Sequence, residues 1–163
     1  MLMVQTTHFI VINLFYFLKL ENKINKVPMP IIKVEGQGKM IKTIILNTDQ
    51  LEKAINRPID LFLAYFCYKK GAKFTIKNEN KTYLSGSYTQ NELTEYLKKF
   101  IQEYILCVKC QNPETLMRIG NKNDKTKTIK FTCKSCGNKY EINEVRNEKF
   151  HKFLISFMEK SLK

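Results

Sequence analysis

Four cysteines stand in two Cys-x-x-Cys pairs, Cys107-Val108-Lys109-Cys110 and Cys133-Lys134-Ser135-Cys136. Each pair can wrap one edge of a tetrahedral ion, with thiolate sulfurs about 2.3 Å from a zinc. Gly137 follows the second pair and lets the backbone turn around the metal. The span Gln111–Thr132 between the pairs is long enough for a hairpin, and Thr128–Thr132 and Lys139–Ile142 alternate as ribbon strands do. Four thiolates close the shell and leave no position for a reacting water, so the expected Zn2+ is a single structural ion. A ribbon of about 40 residues has almost no core of its own, so metal binding is expected to drive its folding. A redox dithiol would instead need one pair at a helix start in a thioredoxin-like unit. The fifth cysteine, Cys67, lies among Tyr65, Phe66 and Tyr68 and reads as a buried thiol.

Other chemistry is thin. His8 and His151 are the two histidines, each without a ligand partner nearby in sequence, and no Ser/His/Asp set stands out. The segment Gly36–Thr43 has the outline of a phosphate loop, with Ile41 where the second glycine belongs. Backbone must pass close to phosphate at that position, so direct nucleotide binding there is not expected. The chain of 163 residues carries 28 Lys+Arg against 15 Asp+Glu, a net charge of +13. Such a field attracts nucleic acid. Only Arg57, Arg118 and Arg146 are arginines, and the lysine excess is also what an AT-rich genome produces. Hydrophobic residues make up 44% and charged residues 26%, a globular composition. No apolar run reaches the roughly 18–20 residues of a spanning helix. The apolar stretch Phe9–Leu18 has neither a positive flank before it nor a small-residue cleavage site after it. A cytoplasmic monomer without a membrane partner is expected.

The elements that must position these residues read as an α+β protein. Residues 1–27 form an N-terminal arm, apolar and then Lys/Asn-rich. A mixed α/β domain covers 28–104. It opens with the β-rich segments Ile31–Val34 and Lys42–Asn47 around the loop Glu35–Met40. Asn47 or Thr48 can cap a helix through Ile55, and Pro58 fits the start of a second helix that Gly71 ends. Lys73–Lys77 and Thr82–Ser87 read as a hairpin across Asn78–Lys81. Thr89-Gln90-Asn91-Glu92 is a capping box for a helix carrying Leu93, Leu97, Phe100, Ile101 and Tyr104. The four-cysteine zinc ribbon covers 105–142, and a C-terminal helix within 143–163 presents Phe150, Phe153, Leu154 and Phe157 for docking.

In order along the chain, several segments resemble the N-terminal region of the eukaryotic translation initiation factor 5 family. They are Lys33-Val34-Glu35-Gly36-Gln37-Gly38 with Ile41-Lys42-Thr43, Asn56-Arg57-Pro58, Tyr65-Phe66 and Gly71-Ala72. Tyr83 with Gly86-Ser87, Asn112-Pro113-Glu114-Thr115 and His151-Lys152-Phe153 continue the series. The beta subunit of initiation factor 2 shares the two-domain arrangement, and the Lys-Val-Glu-Gly and Asn-Pro-Glu-Thr segments favour factor 5.

The resemblance implies a factor that promotes GTP hydrolysis by initiation factor 2 and monitors start-codon pairing beside the initiator tRNA. It is an activator in trans, not an enzyme with a full catalytic set. The implied partners are the gamma and beta subunits of initiation factor 2, the small ribosomal subunit, initiator tRNA and the start-codon region of the mRNA. GTP is held by the partner. In the family an arginine before the first strand supplies a cation to the transferring phosphoryl group. Here no arginine precedes Arg57: Phe17 or Ile24 takes that position, and a further family lysine is replaced by Ala64. Lys19, Lys23, Lys26 and Lys42 are the candidate cations. The resemblance assigns RNA contact to Lys33, Gly36, Gly38 and Lys42; Lys39 adds a cation, and Lys77 and Lys81 extend the patch. The family's C-terminal helical-repeat domain has no expected counterpart in this chain. The competing readings are a structural subunit like initiation factor 2 beta, and a generic zinc-ribbon module that binds nucleic acid.

Overall fold

A computed structural model of the chain describes residues 26–77, 81–123, 126–141 and 148–161. Two short strands open it, β1 (Ile32–Glu35) and β2 (Lys42–Ile45), joined through a 3-10 turn at Gly38–Met40. They pair antiparallel, with Glu35 opposite Lys42 and Ile32 opposite Ile45. Asn47 ties down the entering chain. Its amide donates to the Met29 carbonyl at 2.9 Å, and its side-chain oxygen accepts from the Ile31 amide at 2.8 Å. That commitment explains why Asn47, at the N-cap of helix α1 (Thr48–Ile55), makes no capping bond. Asn47→Ala leaves two partly buried backbone groups without partners, and is expected to cost about 2–3 kcal/mol in urea denaturation. A loss under about 0.5 kcal/mol would contradict the clamp.

Helix α2 (Ile59–Lys70) starts after Pro58, and its first amide, that of Ile59, is held by the Glu52 carboxylate at 3.0 Å. Gly71 ends it in the left-handed conformation, as expected for a helix stop. Residues Leu61–Cys67 are buried without interruption. The reason is that α2 is surrounded: α1, α3 (Gln90–Tyr104), strand β3 (Phe74–Lys77) and the C-terminal helix all touch it. The Thr89–Glu92 capping box forms at the start of α3, and Glu92 also pairs with Lys70 at 2.6 Å. Strand β4 (Lys81–Ser85) pairs with both β3 and β2, giving one antiparallel sheet in the order β1-β2-β4-β3.

The register sorts this sheet into two faces. Ile45, Thr43, Thr82 and Leu84 share the buried, helix-covered face. Lys33, Ile44 and Tyr83 form one cross-strand row on the other, with Lys42 and Ser85 in the next row along.

The second sheet is β5 (Thr115–Asn123), β6 (Thr126–Cys133) and β7 (Lys139–Glu141), antiparallel and in that order. Its long first strand has no clean polar/apolar alternation, which hides it in the sequence. The ribbon does not fold on metal alone: Ile129 and Phe131 of β6 belong to the same apolar core as Phe62, Tyr65 and Phe100. Helix α4 (Glu148–Ser161) completes that core. Phe150 is fully buried, with ring centroids 5.1 Å from Tyr68, 5.3 Å from Tyr65 and 5.5 Å from Tyr104. Leu154 is buried beside it, whereas Phe153 stays 40% exposed and stacks on Tyr68. The stripe thus docks the helix as expected. His151 is buried rather than displayed, with its ring against Tyr104. Among the described residues no helix is long and apolar enough to cross a membrane.

Candidate metal centre and RNA-facing loop

The two cysteine pairs sit on equivalent turns. In the first, the Cys107 amide donates to the Asn112 carbonyl at 3.0 Å and the Gln111 amide to the Cys107 carbonyl at 2.9 Å. In the second, the Cys133 amide donates to the Asn138 carbonyl at 2.9 Å and the Gly137 amide to the Cys133 carbonyl at 3.0 Å. The residue after each second cysteine takes a left-handed backbone, φ 56° at Gln111 and 70° at Gly137. Only the second carries the glycine that signals such a turn in a sequence.

The turns bring four sulfurs together. Cys107 Sγ lies 3.7 Å from Cys136 Sγ, and Cys110 Sγ 3.6 Å from Cys133 Sγ; all four ligand atoms fall within 4.8 Å of one another. A tetrahedral ion with bonds of about 2.3 Å separates its sulfurs by about 3.8 Å. The set therefore fits a tetrahedral metal, and the separations are far beyond the roughly 2.05 Å of a disulfide. Supporting contacts hold the frame. The Lys109 amide donates to Cys107 Sγ, Asn112 bonds Ser135 across the two turns at 3.2 Å, and the Lys134 amide donates to the Glu114 carbonyl. Burial raises the Cys107 thiol, but hydrogen bonds from the backbone and from the neighbouring thiols outweigh it and bring it down to about 7. Cys110 moves the other way: a backbone hydrogen bond at Asn112 lowers it, but burial and the neighbouring thiols outweigh this and raise it. Cys67 lies apart in α2, buried, with burial pushing its thiol up to about 12.

Arg57 joins the ribbon to the α/β layer. Its guanidinium donates to the Thr115 carbonyl and, at 2.9 Å, to the Thr115 hydroxyl, which itself donates to the Ile105 carbonyl at 2.6 Å. Burial lowers its pKa, with nearby Tyr140 acting the other way. In the sequence, Asn56-Arg57-Pro58 is only a segment of resemblance; the docking role needs the fold.

The Gly36–Ile41 loop is thin because little else fits. A Cβ at Gly36 would lie 2.5 Å from the Met40 carbonyl oxygen, and its φ is +90°. Gly38 also has positive φ, at +55°, with open space around it. Lys39 and Lys42 are exposed; Lys33 pairs with Glu35 at 2.7 Å. The loop runs into strand β2 and not into a helix whose N-terminus could hold phosphate. Lys81 does not adjoin this loop: Lys42 pairs with Ser85, and Lys81 stands four residues along β4, about 13 Å away. The register does put Lys33, Lys42 and Lys81 on one face of the sheet. Lys77 is the register partner of Lys81.

Of the four candidate activating cations, the two described ones, Lys26 and Lys42, do not converge. Lys42 begins β2, whereas Lys26 precedes β1 at its other end, beside a cavity lined by Ile55, Ile105 and Pro113. Lys19 and Lys23 lie outside the described residues.

A family model, described as a domain found in initiation factors 2B and 5, matches residues 19–139, a span that holds the glycine loop and all four clustered cysteines. Eukaryotic translation initiation factor 5 of Mus musculus is 41% identical over 114 residues, 69% of this chain and 26% of that protein. The Drosophila melanogaster factor 5 is 37% identical over 113 residues, 69% of this chain and 24% of that protein. For Saccharomyces cerevisiae factor 5 the identity is 37% over 113 residues, 69% and 27% of the two chains. The chain spans about a quarter of the length of the curated relatives it matches.

Proposed function

The chain belongs to the family of the domain found in initiation factors 2B and 5, and we propose from this that it acts in the cytoplasm as a factor 5-like translation initiation factor. It sits beside initiator tRNA on the small ribosomal subunit, monitors start-codon pairing, and promotes GTP hydrolysis by initiation factor 2 through that factor's gamma and beta subunits. The observation that carries this reading is the glycine loop. Gly36 admits no side chain against Met40, and the loop leads from there to Lys39 and Lys42, both exposed. A thin loop can approach an RNA backbone closely while lysines meet its phosphates.

The Cys107, Cys110, Cys133 and Cys136 site holds one zinc ion, whose role is to fix the ribbon. Four thiolates complete its coordination, so the ion takes no part in hydrolysis. GTP is bound by initiation factor 2, and this chain contributes position and charge. Among the candidate cations, Lys42 is held on a strand, whereas Lys26 follows the arm. An ammonium supplies charge without the planar fork of an arginine, so activation is expected to be present and reduced.

The loop is tested with Lys39→Ala and Lys42→Ala together. Affinity for preinitiation complexes carrying initiator tRNA should fall, and the slope of log affinity against log salt should flatten by about 1.5. Unchanged affinity and slope would make the loop a solvated surface. The family description also names initiation factor 2B, and stable copurification with the gamma subunit in the absence of GTP would favour a structural-subunit role.

A further inference from the structure

Lysine supplies nearly all the positive charge of this chain; among its 28 Lys+Arg the arginines are Arg57, Arg118 and Arg146. Arg57 and Arg118 line one groove of about 660 Å³. It lies between the first turn of α2, strand β5 and the C-terminal half of α4, over an apolar floor that includes Leu61, Leu116, Ile119 and Met158. Arginine differs from lysine in presenting a planar fork that matches a carboxylate. The Nε of Arg57 is buried and has no acceptor, although Nη2 holds Thr115 and Nη1 donates to the Asn56 carbonyl. A charged donor left without an acceptor is costly, and Arg57 forms part of the groove's wall. Arg118 is exposed, and among the described residues no ion pair involves it. One acid, Asp60, also lines the groove; burial raises its pKa, as does nearby Glu52.

Strand β5 forms the long wall. It pairs with β6 on one side only, so it is an edge of the second sheet. Four consecutive residues, Leu116 to Ile119, line the groove. Successive side chains of a strand point to opposite faces, so a groove touching all four runs along the strand's edge, where unpaired amides and carbonyls lie.

We propose that this groove docks an extended acidic segment of a partner polypeptide, added to the free edge of β5 as a further strand. Its carboxylates meet Arg57 and Arg118, and its alternate apolar side chains rest on the floor. This is strand addition, with main-chain hydrogen bonds giving affinity and side-chain pockets giving selectivity. The net charge of +13 favours an acidic occupant and opposes a second copy of this chain. A nucleic-acid strand would leave the apolar floor uncovered and the edge amides without matching carbonyls.

The test uses the whole chain and a fluorescein-labelled nonapeptide alternating Asp with Leu and Phe, followed by anisotropy. Versions with Asn or Lys in place of Asp serve as controls. The acidic peptide should bind at least about tenfold tighter than the Asn version, and Arg118→Ala should remove about tenfold of its affinity. Arg118→Lys should fall between. Hydrogen exchange should slow at amides within Leu116–Ile119 when the acidic peptide is added. Equal binding of the Asn peptide overturns the proposal, as does binding indifferent to Arg118→Ala or unchanged exchange along β5. An oligouridylate that displaces the peptide and itself requires Arg118 would make this an RNA surface. Self-association through β5 in sedimentation would make it an interface between copies. Either result also overturns it.

Discussion

Stripping the metal from this protein should unfold the ribbon and cost more stability than any single apolar truncation. Protein purified without added metal is expected to contain about one equivalent of zinc, because structural zinc sites bind with apparent free energies of about 10–16 kcal/mol in peptides. Cys133 is 1% exposed, and its sulfur lies 3.6 Å from that of Cys110. Cys133→Ser removes a thiolate from inside the cluster, and should abolish stoichiometric zinc. Cys67→Ser, far from the site in α2, should leave metal content unchanged. The ribbon shares its core with the rest of the molecule through Ile129 and Phe131, so the damage should spread. Chelation should expose Phe131 and loosen its stacking on Tyr140, centroids 5.1 Å apart, with a change in near-UV circular dichroism. Acid should have the same effect, since protons compete with the metal for thiolates and stability is lost as pH falls. Finding no metal, or finding Cys133→Ser metal-replete, would refute the site.

Truncating Phe150 comes next in size. Its ring fills the space between α2 and α3 with no solvent exposure, touching Tyr65, Tyr68 and Tyr104. Phe150→Ala should cost about 3–5 kcal/mol, combining lost transfer energy with a cavity that closely packed aromatics cannot refill. Phe153→Ala, one helical turn on and 40% exposed, should cost under about 1 kcal/mol. Urea denaturation of the two variants makes the comparison. Similar losses at both positions would mean that α4 is not docked as described.

The contrast between those phenylalanines was not legible in the sequence, where both belong to one apolar stripe. Periodicity marks a face but not which of its members is covered. Local chemistry was more informative. The Thr89–Glu92 box, Gly71 as a helix stop and the paired cysteines each act over a few residues, and the structure has them as the spacing implied. Features that depend on partners distant in sequence were missed. Asn47 could be read as a cap, yet its side chain serves Met29 and Ile31. Strand β5 was not placed because Leu116-Met117-Arg118-Ile119 shows no alternation: all four residues line a groove along a sheet edge, so no single face is marked as the covered one. Of the lysines assigned to a single patch, Lys33, Lys42 and Lys81 are spread along a sheet face, an arrangement set by strand register.

The proposed activation in trans is tested most directly by single-turnover GTP hydrolysis. Preinitiation complexes are assembled from small ribosomal subunits, initiation factor 2 with GTP, initiator tRNA and start-codon mRNA, and phosphate is followed with and without this chain. Stimulation is expected, below the roughly 10³–10⁵-fold that an arginine finger contributes in small GTPase systems. A gain is also expected from Phe17→Arg or Ile24→Arg, the two positions where an arginine is lacking. No stimulation by the intact chain, and none by either arginine variant, would contradict the proposed activation.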